Sequence, residues 1–299
     1  MALDLANTPV SWGVHYPEDP RNEPWQTVLD GIARAGYRSL ELGALGYLPQ
    51  DPALVRAELE RRELTATAMY IFQPLTDEHG QSQILERARL TCELLGAVGG
   101  SLLVIIDERN QQRIPTAGRT DAAVRVDAEG FERLMGGITS LAEVAAQHGL
   151  TAVLHPHVAG YIEFRDEIDR ALEALDPDLV KLCIDTGHSA YAGIDPAQLL
   201  RDHAARVAHI HLKDIDSAKH AQVIADGIDF DTAMLEGIFC PVGQGIVDFG
   251  AFKAELDDAG YEGWATVEQD HEPSDPDKSQ KAFDGAVKSL EYLRAVGLG

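Results

Sequence analysis

Four short apolar runs each end on side chains that can bind a metal or carry a proton. Thr151–Leu154 leads into His155-Pro156-His157, and 180–184 leads into Asp185-Thr186-Gly187-His188. The run 207–210 ends at His211, and Trp264–Val267 ends at Glu268. A lone histidine after such a run is more often a core or rim group than a ligand, and a lone aspartate more often caps the next helix. The signal is the joint pattern, in which consecutive runs all deliver a possible donor. Imidazoles and carboxylates without a thiolate suit a divalent cation, Mn²⁺ first, with Co²⁺, Zn²⁺ or Mg²⁺ as alternatives. His15, Glu41 and Lys213 close or follow other runs and add candidate acid, base or hydrogen-bonding groups. Cys183 shares a pleat face with Asp185 but lies a layer deeper, so it is expected in the core.

To bring these residues together, each apolar run must be a strand of one sheet. Strands are expected at 10–14, 39–42, 65–72, 101–106, 151–154, 180–184, 207–211 and 264–268. Helical spacing separates them, at 25–35, 52–62, 81–95, 131–148, 165–174, 196–205, 248–259 and 279–296. Pro52 and Pro196 sit at tolerated first-turn positions, and Gly36, Gly149 and Gly260 sit at helix ends. The Arg-rich stretch 107–128 reads as a long loop over a site, and 213–247 reads as mixed, with a short helix near 232–237. Regular alternation over this length predicts a closed (β/α)₈ TIM barrel, taken as one domain over 1–299. An open doubly wound sheet would usually carry a Gly-rich nucleotide loop after its first strand, and 10–15 has none. In a barrel, the carboxyl ends of the strands hold the site.

Bulk composition narrows the partners. The chain of 299 residues is 45% hydrophobic and 25% charged, ordinary for a globular protein. Its formal net charge of −24 disfavours nucleic acid and anionic membrane surfaces. No stretch approaches the ~20 apolar residues of a membrane span. The start Met1-Ala2-Leu3-Asp4 has no basic segment of the secretory type. Cys92, Cys183 and Cys240 form no CxxC pair, so a reducing cytoplasmic setting is expected.

Several motifs resemble the xylose-isomerase-like barrels of the sugar-phosphate isomerase/epimerase superfamily. They are Glu41-Leu-Gly with Gly46-Tyr-Leu-Pro49, Asp185-Thr-Gly-His188, Tyr191-Ala-Gly193 and His209-Ile-His-Leu-Lys-Asp214. Gly243-Gln-Gly-Ile-Val-Asp-Phe249 and Gly260-Tyr-Glu-Gly-Trp264 with Glu268 complete them. Within the superfamily, the 41–49 stretch and the His-rich motif at 155–157 resemble the inosose (2-keto-myo-inositol) dehydratases. The resemblance implies a Glu-Asp-His-Glu metal shell from four strand ends. Carried over, its last three members fall on Asp185, His211 and Glu268. The first departs: the related epimerases have a glutamate where His155 stands, and they use paired glutamates as acid and base. The departure agrees with the dehydratase pattern and leaves His155, taken first, or His157 to complete the shell.

The implied reaction is dehydration of a cyclic keto-polyol through a metal-stabilised enolate. His157 and His188 are candidate proton carriers, Lys213 a candidate for assisting the leaving hydroxyl, and Glu41 a candidate base or holder of substrate hydroxyls. The alternatives are a sugar or inosose isomerase or epimerase, and elimination of an aglycone from a 3-keto-glycoside. A barrel that only binds sugar has no reason to keep the set Asp185, His211 and Glu268, and a nuclease is disfavoured by the charge. The expected partner is a small polyol or sugar, with homo-oligomers common among such barrels. Trp12, Tyr16, Tyr70 and Phe72 are candidates for an apolar wall against a sugar ring.

Overall fold

The computed structural model describes residues 3–77, 80–271 and 273–299. Among them a closed parallel sheet alternates with helices. Its strands are β1 (Asp4–Asn7), β2 (Ser39–Leu40), β3 (Thr65–Ala66 and Ala68–Gln73), β4 (Leu102–Asp107), β5 (Thr151–Leu154), β6 (Val180–Asp185), β7 (Val207–Leu212) and β8 (Trp264–Val267). The helices are α1 (Trp25–Ala35), α2 (Pro52–Glu60), α3 (Gln81–Ala97), α4 (Ala128–Gln147), α5 (Arg165–Ala174) and α6 (Thr186–Tyr191). They continue with α7 (Pro196–His203), α8 (Ser217–Asp226), α9 (Phe230–Leu235), α10 (Phe249–Ala259) and α11 (Lys278–Ala295).

The sheet closes through β3. The first piece of β3 pairs with β2 and the second with β4. Thr67 lies between them and bonds to both sides. Its N–H donates to the Leu40 carbonyl at 2.9 Å, and its carbonyl accepts from Ser101 N at 2.9 Å and Leu102 N at 3.2 Å. Closure leaves the barrel no free edge to pair with another chain.

Local chemistry explains most boundaries. Asp51, Asp127, Asp195 and Asp248 cap their helices by accepting backbone N–H groups, with Pro52 and Pro196 just inside two of them. Gly36 at φ 103° and Gly260 at φ 62° end α1 and α10 in the left-handed conformation that favours glycine. Two layers of apolar packing follow. Val28, Leu29, Ile32, Leu103, Ile105 and Leu154 are among those packed in the main core, to which the helices contribute their apolar faces. Tyr70, Val104, Ile106, Val153 and Cys183 pack in a separate cluster of strand residues, and Cys183 is fully buried as expected.

The first strand is not where the sequence pattern puts it. Residues 9–12 form a 3₁₀ helix, and β1 lies earlier, at Asp4–Asn7. Thr8 caps that turn, Pro9 cannot donate to a sheet ladder, and Gly13 at φ 77° ends it. A short apolar run can fill either role, and here Pro and Gly decide. The stretch 213–247 also holds more structure than expected. It contains α8, α9 and an antiparallel ladder of Asp214–Ile215 with Phe239–Cys240. Its short helix begins at Phe230, two residues before its expected start at 232. Of the expected N-terminal segment, residues 1 and 2 lie outside the described residues.

Candidate active site

The pleat of the strands aims the site residues inward. Residues two apart share a face, so Val153 and His155, Cys183 and Asp185, and His209 and His211 stack in layers. One irregularity makes this work. Leu182 pairs with Val207, but Cys183 pairs with His209, so Ala208 is bulged out of the ladder. As a result Asp185 lies level with His211. Without the shift, Asp185 would face Ile210 and His211 would point out of the barrel.

Four donors converge at the carboxyl ends of β5 to β8. One ligand atom each from His155, Asp185, His211 and Glu268 lies within 4.8 Å of the others, and all four residues are buried. His155 Nε2 is 3.4 Å from Asp185 Oδ2, and His211 Nδ1 is 3.8 Å from Asp185 Oδ2 and 3.0 Å from Glu268 Oε2. Asp185 Oδ2 and His211 Nδ1 are buried and have no hydrogen-bond partner. Buried polar atoms are almost always paired, so donors that face one another without bonding fit a cation between them. Cys183 could join His155 and His211 in an overlapping group, but burial pushes its thiol up to about 11 and keeps it protonated.

The Asp185-Thr-Gly-His188 motif builds the rest of the site. Asp185 Oδ1 accepts the His188 N–H at 2.8 Å and caps α6. Thr186 Oγ1 donates to the Lys213 carbonyl at 2.6 Å and accepts the Lys213 N–H at 3.0 Å. Any Cβ at Gly187 would come within 2.6 Å of Lys213 Cγ, so glycine leaves room for that stem. The Lys213 ammonium then donates to His188 Nε2 at 3.1 Å and to Asp270 Oδ2 at 2.9 Å. It also stands 3.0 Å from Glu268 and 3.4 Å from Asp185. His157 packs against His188 with ring centroids 4.0 Å apart. Its Nδ1–H donates to the Val158 carbonyl at 2.7 Å, which leaves Nε2 as the bare nitrogen.

Electrostatics separates these groups into acids and bases. Burial, then His155 and Lys213, hold His157 well below its usual value; burial, then His157 and Lys213, do the same to His188. Both are neutral imidazoles at pH 7. Burial would also discharge Lys213, but Asp185, Asp270 and Glu268 outweigh it and raise the ammonium well above its ordinary value. Burial works against the Glu268 carboxylate, yet Lys213 and His211 bring it down to about 2. A neutral base and a charged acid thus coexist within one hydrogen-bonded group.

These residues floor a cavity of about 370 Å³. His155, His157, His188, His211, Lys213 and Glu268 line it; Asp185 lies behind them. Tyr16, Tyr70 and Phe72 line the wall as expected, whereas Trp12 is only 2% exposed and packs in the core. His15 stands at the rim, with Nε2 3.0 Å from the His271 carbonyl. Glu41 is the main displacement from expectation. It is 1% exposed, and its carboxylate meets His209, His211 and Thr266 instead of the cavity. β2 ends early at Leu40 and carries Glu41 into the barrel below the donors.

Sequence reasoning missed Asp270 and Arg109. Asp270 follows β8 two residues after Glu268, and that same-face spacing was a usable signal. Arg109 had none. It bridges Tyr16 OH at 3.5 Å and Asp231 at 2.7 Å across the mouth, joining three distant segments. Lys213 and Asp214 are both buried. Asp214 accepts backbone N–H groups from Ile215, Gly243, Gly245 and Val247 at 2.8–3.1 Å and so fastens the loop before α10.

Known proteins with the same architecture bear on this site. Residues 29–296 match the family described as xylose isomerase-like TIM barrel. An inosose dehydratase of Geobacillus kaustophilus is 31% identical over 276 residues, 89% of this chain and 87% of that one. One of Lacticaseibacillus casei is 27% identical over 305 residues, 99% and 98% of the two chains. Among solved structures, the IolI protein with a binding zinc atom superimposes with a TM-score of 0.73 at 16% identity, covering 99% of this chain and 98% of that one. A D-allulose 3-epimerase from Methylomonas gives 0.70 at 20%, covering 99% and 100%. At these identities the solved structures establish the fold. The chain belongs to the xylose isomerase-like TIM barrel family, as an inosose dehydratase-like enzyme.

Proposed function

We propose that the enzyme dehydrates a cyclic keto-polyol, with 2-keto-myo-inositol as its first substrate, using a divalent metal held by His155, Asp185, His211 and Glu268. The observation that carries this reading is the placement of neutral His157 and His188 and charged Lys213 against one four-donor cluster. The donor set suits Mn²⁺ first, with Co²⁺, Zn²⁺ or Mg²⁺ as alternatives. A cation bound there supplies Lewis-acid stabilisation of the negative charge that develops on the substrate's carbonyl oxygen. His157 Nε2 takes the α-proton. Lys213 Nζ protonates the β-hydroxyl, which leaves as water as the C–O bond breaks and the double bond forms. His188 Nε2 accepts from the Lys213 ammonium and holds it in place, and after product leaves His157 gives its proton to solvent in the cavity while Lys213 takes one up there. Tyr70, Phe72 and Ile106 cover the C–H face of the ring. We read the chain 1–299 as one domain. Its free thiols support a cytoplasmic setting, and its charge disfavours polyanionic partners. Among the described residues no helix is long and apolar enough to cross a membrane.

The test is to incubate the protein with Mn²⁺ and 2-keto-myo-inositol and follow ultraviolet absorbance from the enolised dione. Absorbance that rises only with metal is expected. An unchanged spectrum with interconversion of ketoses would assign an isomerase or epimerase instead. Release of an aglycone from a 3-keto-glycoside, with the inosose untouched, would move the substrate class. Asp185→Ala and Glu268→Ala should each purify without metal, and full metal content in either one sinks the ligand set.

A further inference from the structure

Below the four donors lies a second polar layer that takes no part in the proton transfers. Glu41 Oε2 accepts three hydrogen bonds: from His211 Nε2 at 3.1 Å, His209 Nε2 at 3.2 Å and Thr266 Oγ1 at 3.0 Å. All four residues are at most 2% exposed. They come from three places around the barrel: the end of β2, two positions on β7, and β8. Water cannot reach this layer to substitute for a missing partner, so the network is set by the protein alone.

The consequence falls on His211. A neutral imidazole has one N–H and one bare nitrogen, and the hydrogen bond made by one nitrogen determines the state of the other. Here Nε2 must be the donor, because a carboxylate oxygen only accepts. That leaves Nδ1 as the bare nitrogen, and Nδ1 is the atom facing Asp185 and Glu268. His209 and Thr266 occupy the space on either side of the same carboxylate oxygen, with Thr266 Oγ1 3.3 Å from His209 Nε2. They keep Glu41 from swinging away from His211.

We infer that Glu41 is a positioning residue: with His209 and Thr266 it holds His211 in the Nε2–H form and at the rotation that presents Nδ1 to the metal. This rests on the metal site proposed above. A carboxylate accepting from a ligand histidine also raises the basicity of the ligating nitrogen, and loss of such a partner typically weakens metal affinity by about 10–100-fold.

The experiment titrates metal-free protein with Mn²⁺ by calorimetry and records imidazole ¹⁵N spectra of the Zn²⁺-loaded protein. Glu41→Leu removes the acceptor at similar volume and should weaken Mn²⁺ binding by about 10–100-fold, with the melting temperature of the metal-free protein changing far less in proportion. Glu41→Gln can keep an oxygen in place for His211 Nε2–H and should stay within a few-fold of wild type. In the Zn²⁺-loaded wild type, His211 should show a slowly exchanging Nε2–H and a metal-bound Nδ1. A Leu variant with wild-type affinity overturns the assignment, and so does Zn²⁺ on Nε2. The spectra need only the wild type, so they decide the matter even if Glu41→Leu does not fold. If wild-type protein takes up neither metal, the metal reading itself fails and this inference falls with it.

Discussion

Gly187 shows how much one residue decides in this site. A methyl group there would lie 2.6 Å from Lys213 Cγ and 2.9 Å from its Cβ, atoms near the backbone that cannot swing aside cheaply. Gly187→Ala should therefore displace the Lys213 ammonium from His188 and Asp270 while leaving the four proposed metal donors in place. Loss of a positioned acid or base typically costs about 10²–10⁴-fold in rate. The expected result is a fall in kcat of that order with metal content unchanged, read from steady-state kinetics and elemental analysis of the same preparation. A variant that keeps wild-type kcat would remove Lys213 from the reaction. The same residue scale explains His155-Pro-His157. The two histidines lie on one strand extension but meet different partners: His155 faces Asp185, while His157 is tethered to Val158 and packed on His188.

At the scale of elements, the loops at the carboxyl ends are fastened from below by buried acids. Asp107 ends β4, is 5% exposed, and accepts Leu75 N at 3.1 Å and Tyr161 N at 3.0 Å. It thereby joins the loops after β3 and β5, the latter carrying His157. Burial is the largest influence on its carboxyl, and it raises the pKa from 3.8 to about 6 despite the two backbone donors. A folded pKa above the unfolded one means the folded state holds the proton more tightly. The stability from this group is complete below about 3.8 and is lost as pH rises through about 6. The stability lead of wild type over Asp107→Asn should narrow by on the order of 1 kcal/mol between about pH 5.5 and pH 8. Urea unfolding at the two values measures it, and a pH near the isoelectric point of 4.7 is avoided because solubility falls there. A lead that does not change with pH would show that Asp107 is ionised throughout. Arg113 works in the same way, fully buried and paired with Glu163 and Glu167 at 2.7–3.1 Å, holding the 107–127 loop to the start of α5.

The whole molecule concentrates unlike charges in its centre. Asp185, Glu268, Asp270 and Glu41 meet His211 and Lys213 at and beneath the floor of the cavity, with little exposure. Such a cluster is balanced only while its cations are in place. Ligand that binds only the folded state stabilises it by mass action, about 2.7 kcal/mol at a hundred times its dissociation constant. Saturating Mn²⁺ should raise the melting temperature by several degrees over protein kept in chelator, with a shift that grows with metal concentration. Scanning calorimetry reads this directly. An unmoved transition would mean that the cation does not bind the folded barrel.

Much of this was legible before any coordinates. Each of the strands β5 to β8 is an apolar run broken by a polar residue, and such a run has few alternatives to a buried parallel strand. The candidate residues at 155–157, Asp185, His211 and Glu268 followed from that, since strand ends face the site in a barrel, and the family resemblance narrowed them to a ligand set. Gly36 marks the end of α1, which matches its expected bounds; α5 matches as well, on its apolar spacing, with neither a capping aspartate nor a terminal glycine. Where two local readings competed, as at Pro9–Trp12, the apolar pattern misled and the 3₁₀ turn won.

What the sequence by itself determined is the periodicity of the chain and the polar residues at its strand ends, because both are written in nearest neighbours along the strands. Three features needed the folded molecule. The bulge at Ala208 sets His211 level with Asp185, and no residue type there announces it. Glu41 meets His209, His211 and Thr266 across separations of 168 to 225 residues, and so becomes a support for a donor where a catalytic carboxylate was expected. Arg109 reaches Tyr16 and Asp231 across the mouth. In each case the deciding contact lies between strands or loops far apart in the chain, and only barrel closure brings them within hydrogen-bonding distance.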